Sequence, residues 1–261
     1  MEALRNEAPR HLEFHDNAPC TTIASYNIHK CVGTDGLFDP GRVAEVIREI
    51  DSDLIALQEA DGPLGNRRGL LDLSAIERAT KLSPVLVHQH GQSPGWHGNL
   101  ILARDGFVQS VKRINLPGME PRGAIIVDLE LKGVLLRIIA AHLGLLRRSR
   151  SQQASTLLEA TRSILIPTLL LGDLNEWRVK RRSSLLELLP HFGPLHAVLP
   201  SFPSRFPVLA LDRILSRPPD LISSIEVHQT PLARVASDHL PIKARLNLDR
   251  VRQLHAQPDF A

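Results

Sequence analysis

The stretch LGDLNEW, from Leu171 to Trp177, decides how this chain is interpreted, because an apolar run ends there at a glycine and delivers two polar residues. Asp173 and Asn175 stand two positions apart, and alternate residues of an extended chain point to the same side. The two side chains therefore face one point, where Asp offers a charged acceptor and Asn offers a donor and an acceptor. The alternative is a strand end whose Asp and Asn only cap a turn.

Composition bounds the class of protein. The chain has 261 residues, of which 43% are hydrophobic and 23% charged, as expected for one large or two small globular domains. No apolar run is long enough to cross a bilayer, and the charged first residues do not resemble a secretory signal. Two cysteines, Cys20 and Cys31, make no disulfide framework, so a cytoplasmic, reduced protein is expected.

Charge is informative about partners. The formal net charge is only +3, but basic residues cluster at 147–150 and again at 180–182. Such clusters suit nucleic acid, anionic lipid headgroups or other phosphorylated substrates, and they are also common on ordinary solvated surfaces. Aromatic residues make up 4% of the chain, which argues against a base-stacking platform for single strands.

Hydrophobic periodicity predicts one domain at residues 21–248, between an irregular N-terminal tail at 1–20 and a C-terminal tail at 249–261. Many strands with few helices predict a four-layer α/β sandwich. In this fold, two mixed, mainly antiparallel β-sheets pack face to face with the helices outside.

Local signals place several of the elements. Asp39 and Pro40 open a helix, and Ser74 with Glu77 forms a capping box for a second helix. Short glycine-bearing turns predict an antiparallel meander of four strands, at 99–104, 108–116, 123–131 and 134–142. A further strand is predicted at 84–90, and further helices at 151–163 and 184–192.

Polar residues recur where the predicted strands end, behind apolar runs. The set comprises Asn27, Glu59, Asn99, His142, Asp173, Asn175, Asp212, Asp238 and His239. Strand ends at one rim are where folds build sites, and so many are hard to explain as turn chemistry alone. Oxygen-rich donors without cysteine favour Mg²⁺ or Mn²⁺ over zinc, and histidines beside aspartates supply a general base and its orienting acid.

The same residues carry a resemblance to the endonuclease/exonuclease/phosphatase superfamily, which has the fold of deoxyribonuclease I. The motifs SYNIH, LQE, HGN, PRGA, AAHLGL, GDLNEW, LDRIL and SDHLP occur in the expected order from Thr21 to Leu246. GDLN and SDHLP are the most specific, and SYNIHKC with FDPGR is similar to small bacterial members. The resemblance implies a metal-dependent phosphoesterase that hydrolyses a phosphodiester or phosphomonoester by in-line attack of an activated water.

The resemblance also implies a role for each residue. It places Asn27, Glu59 and Asp238 at the metal. It makes five residues catalytic, namely His142, Asp173, Asn175, Asp212 and His239. It places Asn99, Arg122, His142 and Asn175 at the phosphate.

Within the catalytic set, Asp212 is implied to orient His239, while Asp173 and Asn175 position the water and a phosphate oxygen. Either Asp173 or the Asp212–His239 pair can serve as the base. His142 is a tyrosine in abasic-site endonucleases, which weighs against that activity.

The substrate class stays open at this level. A nuclease needs basic, groove-reading loops, whereas a phospholipid or sphingomyelin-type phosphodiesterase needs an apolar rim at its site. The leucine-rich segments LGLL and LLELLP can offer such a rim, but both are expected in the core, and Trp96 and Trp177 are expected to pack. A non-catalytic protein that binds phosphates is the remaining alternative, and the intact set of site residues argues against it.

Overall fold

The computed structural model describes residues 21–62, 69–86, 93–161, 166–178, 183–188, 191–193 and 199–255. The predicted N-terminal tail and the basic segment at 180–182 lie outside the described residues. None of the described helices is long and apolar enough to cross a membrane.

The first sheet has six strands. They are β1 Thr21–Asn27, β2 Leu54–Gln58, β3 Leu82–Pro84, β4 Leu100–Arg104, β10 Ile222–Val227 and β11 Ile242–Leu246. Their order is β10-β11-β1-β2-β4-β3, and β1 pairs parallel with β2 but antiparallel with β11. The parallel register sets Asn27 opposite Gln58, so the residue that follows Gln58, Glu59, emerges at the same edge as Asn27.

The second sheet has five strands. They are β5 Phe107–Leu116, β6 Arg122–Leu131, β7 Val134–Ala141, β8 Thr168–Asp173 and β9 Asp212–Arg217, and they lie in that order. β7 and β8 are parallel, whereas β8 and β9 are antiparallel with Asp173 directly opposite Asp212. The predicted meander is therefore correct only for its last three strands. The segment at 99–104 is β4 of the first sheet, because its backbone pairs with β2 and β3.

Among the described residues, five helices accompany the sheets: α1 Pro40–Ile50, α2 Leu73–Thr80, α3 Arg147–Thr161, α4 Ala233–Ala236 and α5 Leu248–His255. Asp39 caps α1 as predicted, by accepting a hydrogen bond from the Arg42 amide. The capping box predicted for α2 is wrong: Asp72 caps the helix through the Ala75 amide, because the helix begins before Ser74.

Other boundaries also differ from the prediction. The strand predicted at 84–90 ends at Pro84, and residues 87–90 lie outside the described part of the chain. Between 184 and 192, the described residues contain a 3₁₀ turn, Leu186–Leu188. α5 occupies most of the segment assigned to a C-terminal tail, and it buries Val251 and Leu254 in the core.

The core has three layers of apolar side chains, as alternation along the strands requires. Ile23 and Ile101 of the first sheet face the second sheet, whereas Ala24 and Leu102 face α1 and α2. A third cluster lies between the second sheet and α3, and Leu157 belongs to it. The predicted four-layer sandwich with helices outside is thus confirmed.

Candidate active site

The ends of strands from both sheets meet at one place. Asn27, the last residue of β1, donates from Nδ2 to Oδ2 of Asp173, the last residue of β8, at 3.0 Å. The two residues are 146 positions apart in the chain. Packing of the two sheets therefore joins an amide and a carboxylate that the sequence keeps far apart.

Gly172 allows the close approach that builds this meeting point. Its φ is 149°, and a Cβ atom at this position would lie 1.8 Å from the carbonyl oxygen of Ala141. Ala141 ends β7, and His142 follows it. Because glycine has no side chain, β8 can run against the end of β7 and set Asp173 beside His142.

Asp173 is the centre of the cluster, and only 2% of its surface is exposed. Its Oδ1 accepts a hydrogen bond from the Asn175 amide at 2.9 Å. Its Oδ2, besides accepting from Asn27, lies 3.5 Å from His142 Nε2 and 3.7 Å from His239 Nε2. A buried carboxylate with this many donors around it is held as an acceptor in a fixed position.

Asp212 and His239 form a second, linked pair. Nδ1 of His239 lies 2.8 Å from Asp212 Oδ2, and the hydroxyl of Ser201 donates to the same oxygen at 2.5 Å. Burial alone would lower the pKa of His239, but the carboxylates of Asp212, Asp173 and Asp238 outweigh it and raise the pKa to about 10. The imidazole is therefore held in one orientation and in its cationic form.

His142 has the opposite charge state. Burial lowers its pKa to about 3, although the carboxylate of Asp173 works against that shift. Nη1 of Arg122 lies 2.9 Å from His142 Nδ1, and since a guanidinium can only donate, Nδ1 must be the acceptor. The proton of the neutral ring is then on Nε2, which faces Asp173.

Of the three residues predicted at the metal, Asn27 is buried, whereas Glu59 and Asp238 are more exposed than this cluster. Glu59 Oε2 lies 3.6 Å from Lys30 Nζ, and Asp238 Oδ1 lies 3.7 Å from His29 Nδ1. Both carboxylates are anchored at the end of β1. Glu59 follows Gln58, which pairs with Asn27. Asp238 follows Ser237, whose hydroxyl donates to the Asn27 carbonyl at 2.7 Å.

The donor chemistry of this region fits a divalent cation. Among the described residues, Asp173, Asp212 and His239 offer ligand atoms that lie within 4.8 Å of one another. Asp212 Oδ1 is buried and has no hydrogen-bond partner in the described part of the chain. A buried carboxylate oxygen without a partner is unusual, and a hard cation prefers such oxygens. The described residues thus include a possible metal site at Asp173, Asp212 and His239. Asn27, which is bonded to Asp173, and Asp238, which precedes His239, lie beside it, whereas metal binding by Glu59 stays a prediction.

Two asparagines predicted at the phosphate are bound to the backbone. Asn99 Nδ2 donates to the carbonyls of Trp96 and Gly123, at 3.1 and 2.9 Å. Asn175 Nδ2 donates to the Leu143 carbonyl at 2.9 Å and so ties down the segment that follows His142. Their side-chain NH₂ groups hold loops in place here, and phosphate contact by either residue stays a prediction.

Sequence reasoning missed the support behind the site. The basic cluster at 147–150 is of a kind common on solvated surfaces, but Arg150 is 1% exposed and lies 3.5 Å from the fully buried carboxylate of Glu176. It also donates to the carbonyls of Gly144 and Leu145. The pair therefore links the loop after His142 to the loop after Asp173. The motif GDLNEW contains Glu176, but nothing in the sequence indicated its partner.

A second buried arginine links the ends of β8 and β9. Arg213 donates to the backbone carbonyls of Asp212, at 3.3 Å, and of Glu176, at 3.1 Å. Glu120 was also missed, although its carboxylate holds Arg122 at 2.8 Å against His142. These contacts connect residues that follow different strands, so they depend on how the strands are paired.

Two packed sheets whose strand ends gather aspartates, histidines and an asparagine define a class of phosphoester hydrolases. Residues 24–239 match the sequence model of the Endonuclease/Exonuclease/phosphatase family, and the chain belongs to that family. Members of the family are hydrolases that act on phosphoesters.

The chain is similar to YbhP of Escherichia coli, an uncharacterized protein, with 28% identity over 250 residues that cover 87% of this chain and 96% of YbhP. Among solved structures, an endonuclease/exonuclease/phosphatase from Beutenbergia cavernae superposes with a TM-score of 0.69 at 22% identity, covering 87% of this chain and 71% of that one.

Two other structures differ in what they act on. The mannosyl-6-phosphatase Bt3783 of Bacteroides thetaiotaomicron has a TM-score of 0.65 at 17% identity, covering 87% of this chain and 99% of that one. D. rerio TDP2, complexed with a single-strand DNA product, has a TM-score of 0.63 at 17% identity, covering 88% and 100%. At these identities the likeness establishes the fold, and the fold serves different substrates.

Proposed function

We propose that the protein is a divalent-metal-dependent phosphoesterase that hydrolyses a phosphodiester or phosphomonoester by in-line attack of water. The observation that carries the proposal is the buried cluster in which Asp173 faces both His142 and His239 while Asp212 holds His239. A cluster of this composition is costly to bury unless it serves a reaction or a ligand.

Asn27, Glu59 and Asp238 are the residues that would hold the cation, for which we propose Mg²⁺ or Mn²⁺. When bound, such a cation supplies positive charge to the phosphate oxygens as negative charge develops on them. Their oxygens are the donors that hard cations prefer.

Asp173 positions the attacking water in this proposal. Its carboxylate is fixed by the Asn27 side chain and the Asn175 amide, so it can accept a hydrogen bond from water in a constant direction. Asp173 can take the water proton directly, whereas the His239 imidazolium, supported by Asp212, must first release its Nε2 proton before it can act as the base. Replacing Asp173 by Asn keeps the shape of the side chain but removes the base. A higher residual rate in Asp173→Asn than in His239→Asn therefore favours the histidine as the general base.

Donors for the phosphate come from the other side of the cluster. The His239 imidazolium carries its second proton on Nε2, which points toward Asp173 and the space where a phosphate oxygen would sit. Arg122 is held by Glu120 beside His142 and adds a positive charge. Fixed donors of this kind stabilise the charge that develops in a phosphoryl transition state.

The first experiment measures hydrolysis of bis(p-nitrophenyl) phosphate, p-nitrophenyl phosphate and plasmid DNA, with Mg²⁺, with Mn²⁺ and with a chelator. We expect activity that requires the cation and falls by roughly a hundredfold or more in His239→Ala. Glu59→Ala should lose activity at low cation concentration and recover part of it at high concentration. His191→Asn, at an exposed histidine outside the cluster, is the matched control and should keep the wild-type rate.

Full activity in the presence of chelator would contradict the metal dependence, and an unchanged rate in His239→Ala would contradict the assigned roles. Cleavage of plasmid DNA in preference to the small phosphoesters would favour the nuclease alternative. Binding of phosphate without hydrolysis of any substrate would leave a non-catalytic phosphate-binding protein. The cytoplasmic location stays a prediction, in keeping with the unpaired, buried thiol of Cys31.

A further inference from the structure

Large apolar side chains are exposed around the candidate active site, and we call four of them the apolar rim. The rim comprises Met119, Leu145, Leu146 and Trp177, which are 84%, 66%, 52% and 43% exposed. The sequence placed the leucines of LGLL in the core, and the structure corrects this for two of the three: Leu143 is buried, but Leu145 and Leu146 are not. Exposed apolar side chains gathered at one place mark an interaction surface.

Hydrogen bonds join the apolar rim to the site. The Leu145 amide donates to Glu120 Oε1 at 2.7 Å, and Glu120 also holds Arg122 against His142. Met119 precedes Glu120 in the chain, so Met119 and Leu145 both adjoin the residue that holds Arg122 against His142. The rim is therefore attached to the groups that would meet a phosphate.

Trp177 is connected to the apolar rim by a different set of contacts. It follows Glu176, whose carboxylate lies 3.5 Å from Arg150, and Arg150 donates to the Leu145 carbonyl. A buried ion pair thus holds the loop that carries Trp177 beside the loop that carries Leu145. The exposed side chains stand on a rigid base, which lowers the entropy lost when they contact a partner.

Positive charge accompanies the apolar rim. Arg147 and Arg148 directly follow Leu146, both are exposed, and neither has an ion-pair partner in the part of the chain that the structure describes. The Arg178 guanidinium lies over the Trp177 ring, with 4.3 Å to its centroid. Leucines and a tryptophan beside arginines such as Arg147 and Arg148 are the residue types that interfacial segments use on anionic lipid.

A second loop next to the site exposes apolar side chains as well. Phe206 and Val208 are 79% and 70% exposed. Their loop reaches the site because the Ser204 amide donates to the Asp238 carbonyl at 2.7 Å and the Phe202 ring lies 4.8 Å from that of His239. Two separate loops that contact the cluster therefore both present apolar side chains to solvent.

We propose that the apolar rim, with Arg147 and Arg148, docks this protein on an anionic lipid surface, so that its substrate is a phosphoester of a lipid headgroup. The second half rests on the proposed phosphoesterase function, whereas the docking does not. Nucleic acid would use the arginines but leave Leu145, Leu146 and Met119 without partners, because phosphates and sugars offer polar contacts. A lipid surface uses both kinds of side chain, since acyl chains accept the leucines and acidic headgroups pair with the arginines.

The test is sedimentation of the whole protein with vesicles of phosphatidylcholine alone and of phosphatidylcholine mixed equally with phosphatidylglycerol. We expect binding to the mixed vesicles that weakens as salt is added, and weaker binding to phosphatidylcholine alone. Arg147→Gln/Arg148→Gln should bind the mixed vesicles roughly 25-fold more weakly, from about fivefold for each basic side chain near an anionic surface. Leu145→Ser/Leu146→Ser should lower the affinity for both kinds of vesicle at least tenfold, which is roughly the effect expected for partly inserted leucines.

Matched controls lie at the other end of the fold. Phe107 is 70% exposed at the start of β5, about 30 Å from the Met119 end at ~3.3 Å per residue. Phe107→Ser and Arg252→Gln should bind as wild type does. All of these variants should hydrolyse bis(p-nitrophenyl) phosphate at the wild-type rate, which shows that they are folded and that the rim acts on docking.

Five outcomes decide the proposal. Wild-type binding by Leu145→Ser/Leu146→Ser, or an equal loss in Phe107→Ser, would overturn it. Binding to plasmid DNA that needs Arg147 and Arg148 but not the leucines, with no binding to vesicles, would assign the face to nucleic acid and also overturn it. Vesicle binding that persists in His239→Ala supports docking independently of catalysis. Vesicle binding by a wild-type protein that hydrolyses no phosphoester supports the docking and refutes the proposed function.

Discussion

Replacing Glu176 should destabilise the fold more than its position in a loop suggests. The carboxylate is fully buried and accepts hydrogen bonds from the Ser184 amide at 2.8 Å, the Ser184 hydroxyl at 2.6 Å and the Arg178 amide at 2.9 Å. Burial alone would raise the pKa of Glu176, but these bonds and the charge of Arg150 outweigh it and hold the pKa below its usual value. In Glu176→Leu, the 1%-exposed Arg150 loses its counter-charge.

The magnitude follows from what remains around Arg150. Removing one partner of a buried ion pair costs about 3–5 kcal/mol, because the other charge stays in the interior. Arg150 keeps its bonds to the Gly144 and Leu145 carbonyls and to Ser184 Oγ, which favours the lower end. The Ser184 amide loses its acceptor, which adds about 1–3 kcal/mol. We expect Glu176→Leu to lower the free energy of unfolding by about 4 kcal/mol.

Equilibrium unfolding in urea, followed by far-ultraviolet circular dichroism, measures this change. The double variant Arg150→Met/Glu176→Leu should lose about 2 kcal/mol less free energy of unfolding than the two single variants lose together, because it leaves no charge unpaired. Glu45→Ala, which removes the partner of Arg48 from an exposed pair, is the control and should leave stability unchanged within error. A loss below about 1 kcal/mol in Glu176→Leu would refute the reasoning, since that is the range of exposed pairs.

Three further predictions concern the core, a thiol and an ion pair. Gly172→Ala should destabilise the protein by roughly 2–3 kcal/mol or more and lower activity, because the new Cβ meets the Ala141 carbonyl; thermal unfolding measures this. Cys31 should resist alkylation by iodoacetamide at pH 8 in the native state, because burial raises the pKa of its thiol to about 12. Peptide mass mapping measures the fraction of Cys31 that is alkylated. Burial alone would raise the pKa of Asp128, but the Arg137 and Ser110 hydrogen bonds lower it overall, so its stabilisation is present above the unfolded pKa of about 3.9 and is lost as pH falls through the folded value. The melting temperature of the wild type should therefore fall more steeply on acidification than that of Asp128→Asn.

The controls for these predictions come from the same chain. Gly133→Ala adds a Cβ that meets nothing within 4 Å, so a loss as large as that of Gly172→Ala would point to backbone strain instead of the clash. Rapid native alkylation of Cys31 would show that its pocket opens. Parallel acid profiles for the wild type and Asp128→Asn would show that the pair with Arg137 contributes nothing to the pH dependence.

Much of the fold follows from local sequence. The period of apolar residues in β1, β2 and β8 and the Asp39 cap of α1 are properties of neighbouring residues, and the structure agrees with them. The same holds for polar residues at strand ends, since Asn27 and Asp173 are each the last residue of a strand. Sheet membership is different: the local sequence makes β4 a strand, but only its pairing with β2 and β3 assigns it to the first sheet.

By itself, the sequence determined the four-layer class of fold, the strand ends that carry polar residues and the chemistry those residues can offer. Only the tertiary structure decided which of them touch. Asp212 faces Asp173 because β9 pairs with β8 in one register, and a shift of β9 by one residue would turn the Asp212 side chain to the other face of the sheet. The tertiary structure also decided burial: Arg150 is buried and Leu145 is exposed to solvent, the reverse of what their residue types suggest. The physical reason is that periodicity reports a side chain's own preference, whereas contact and exposure depend on strands and loops that come from distant parts of the chain.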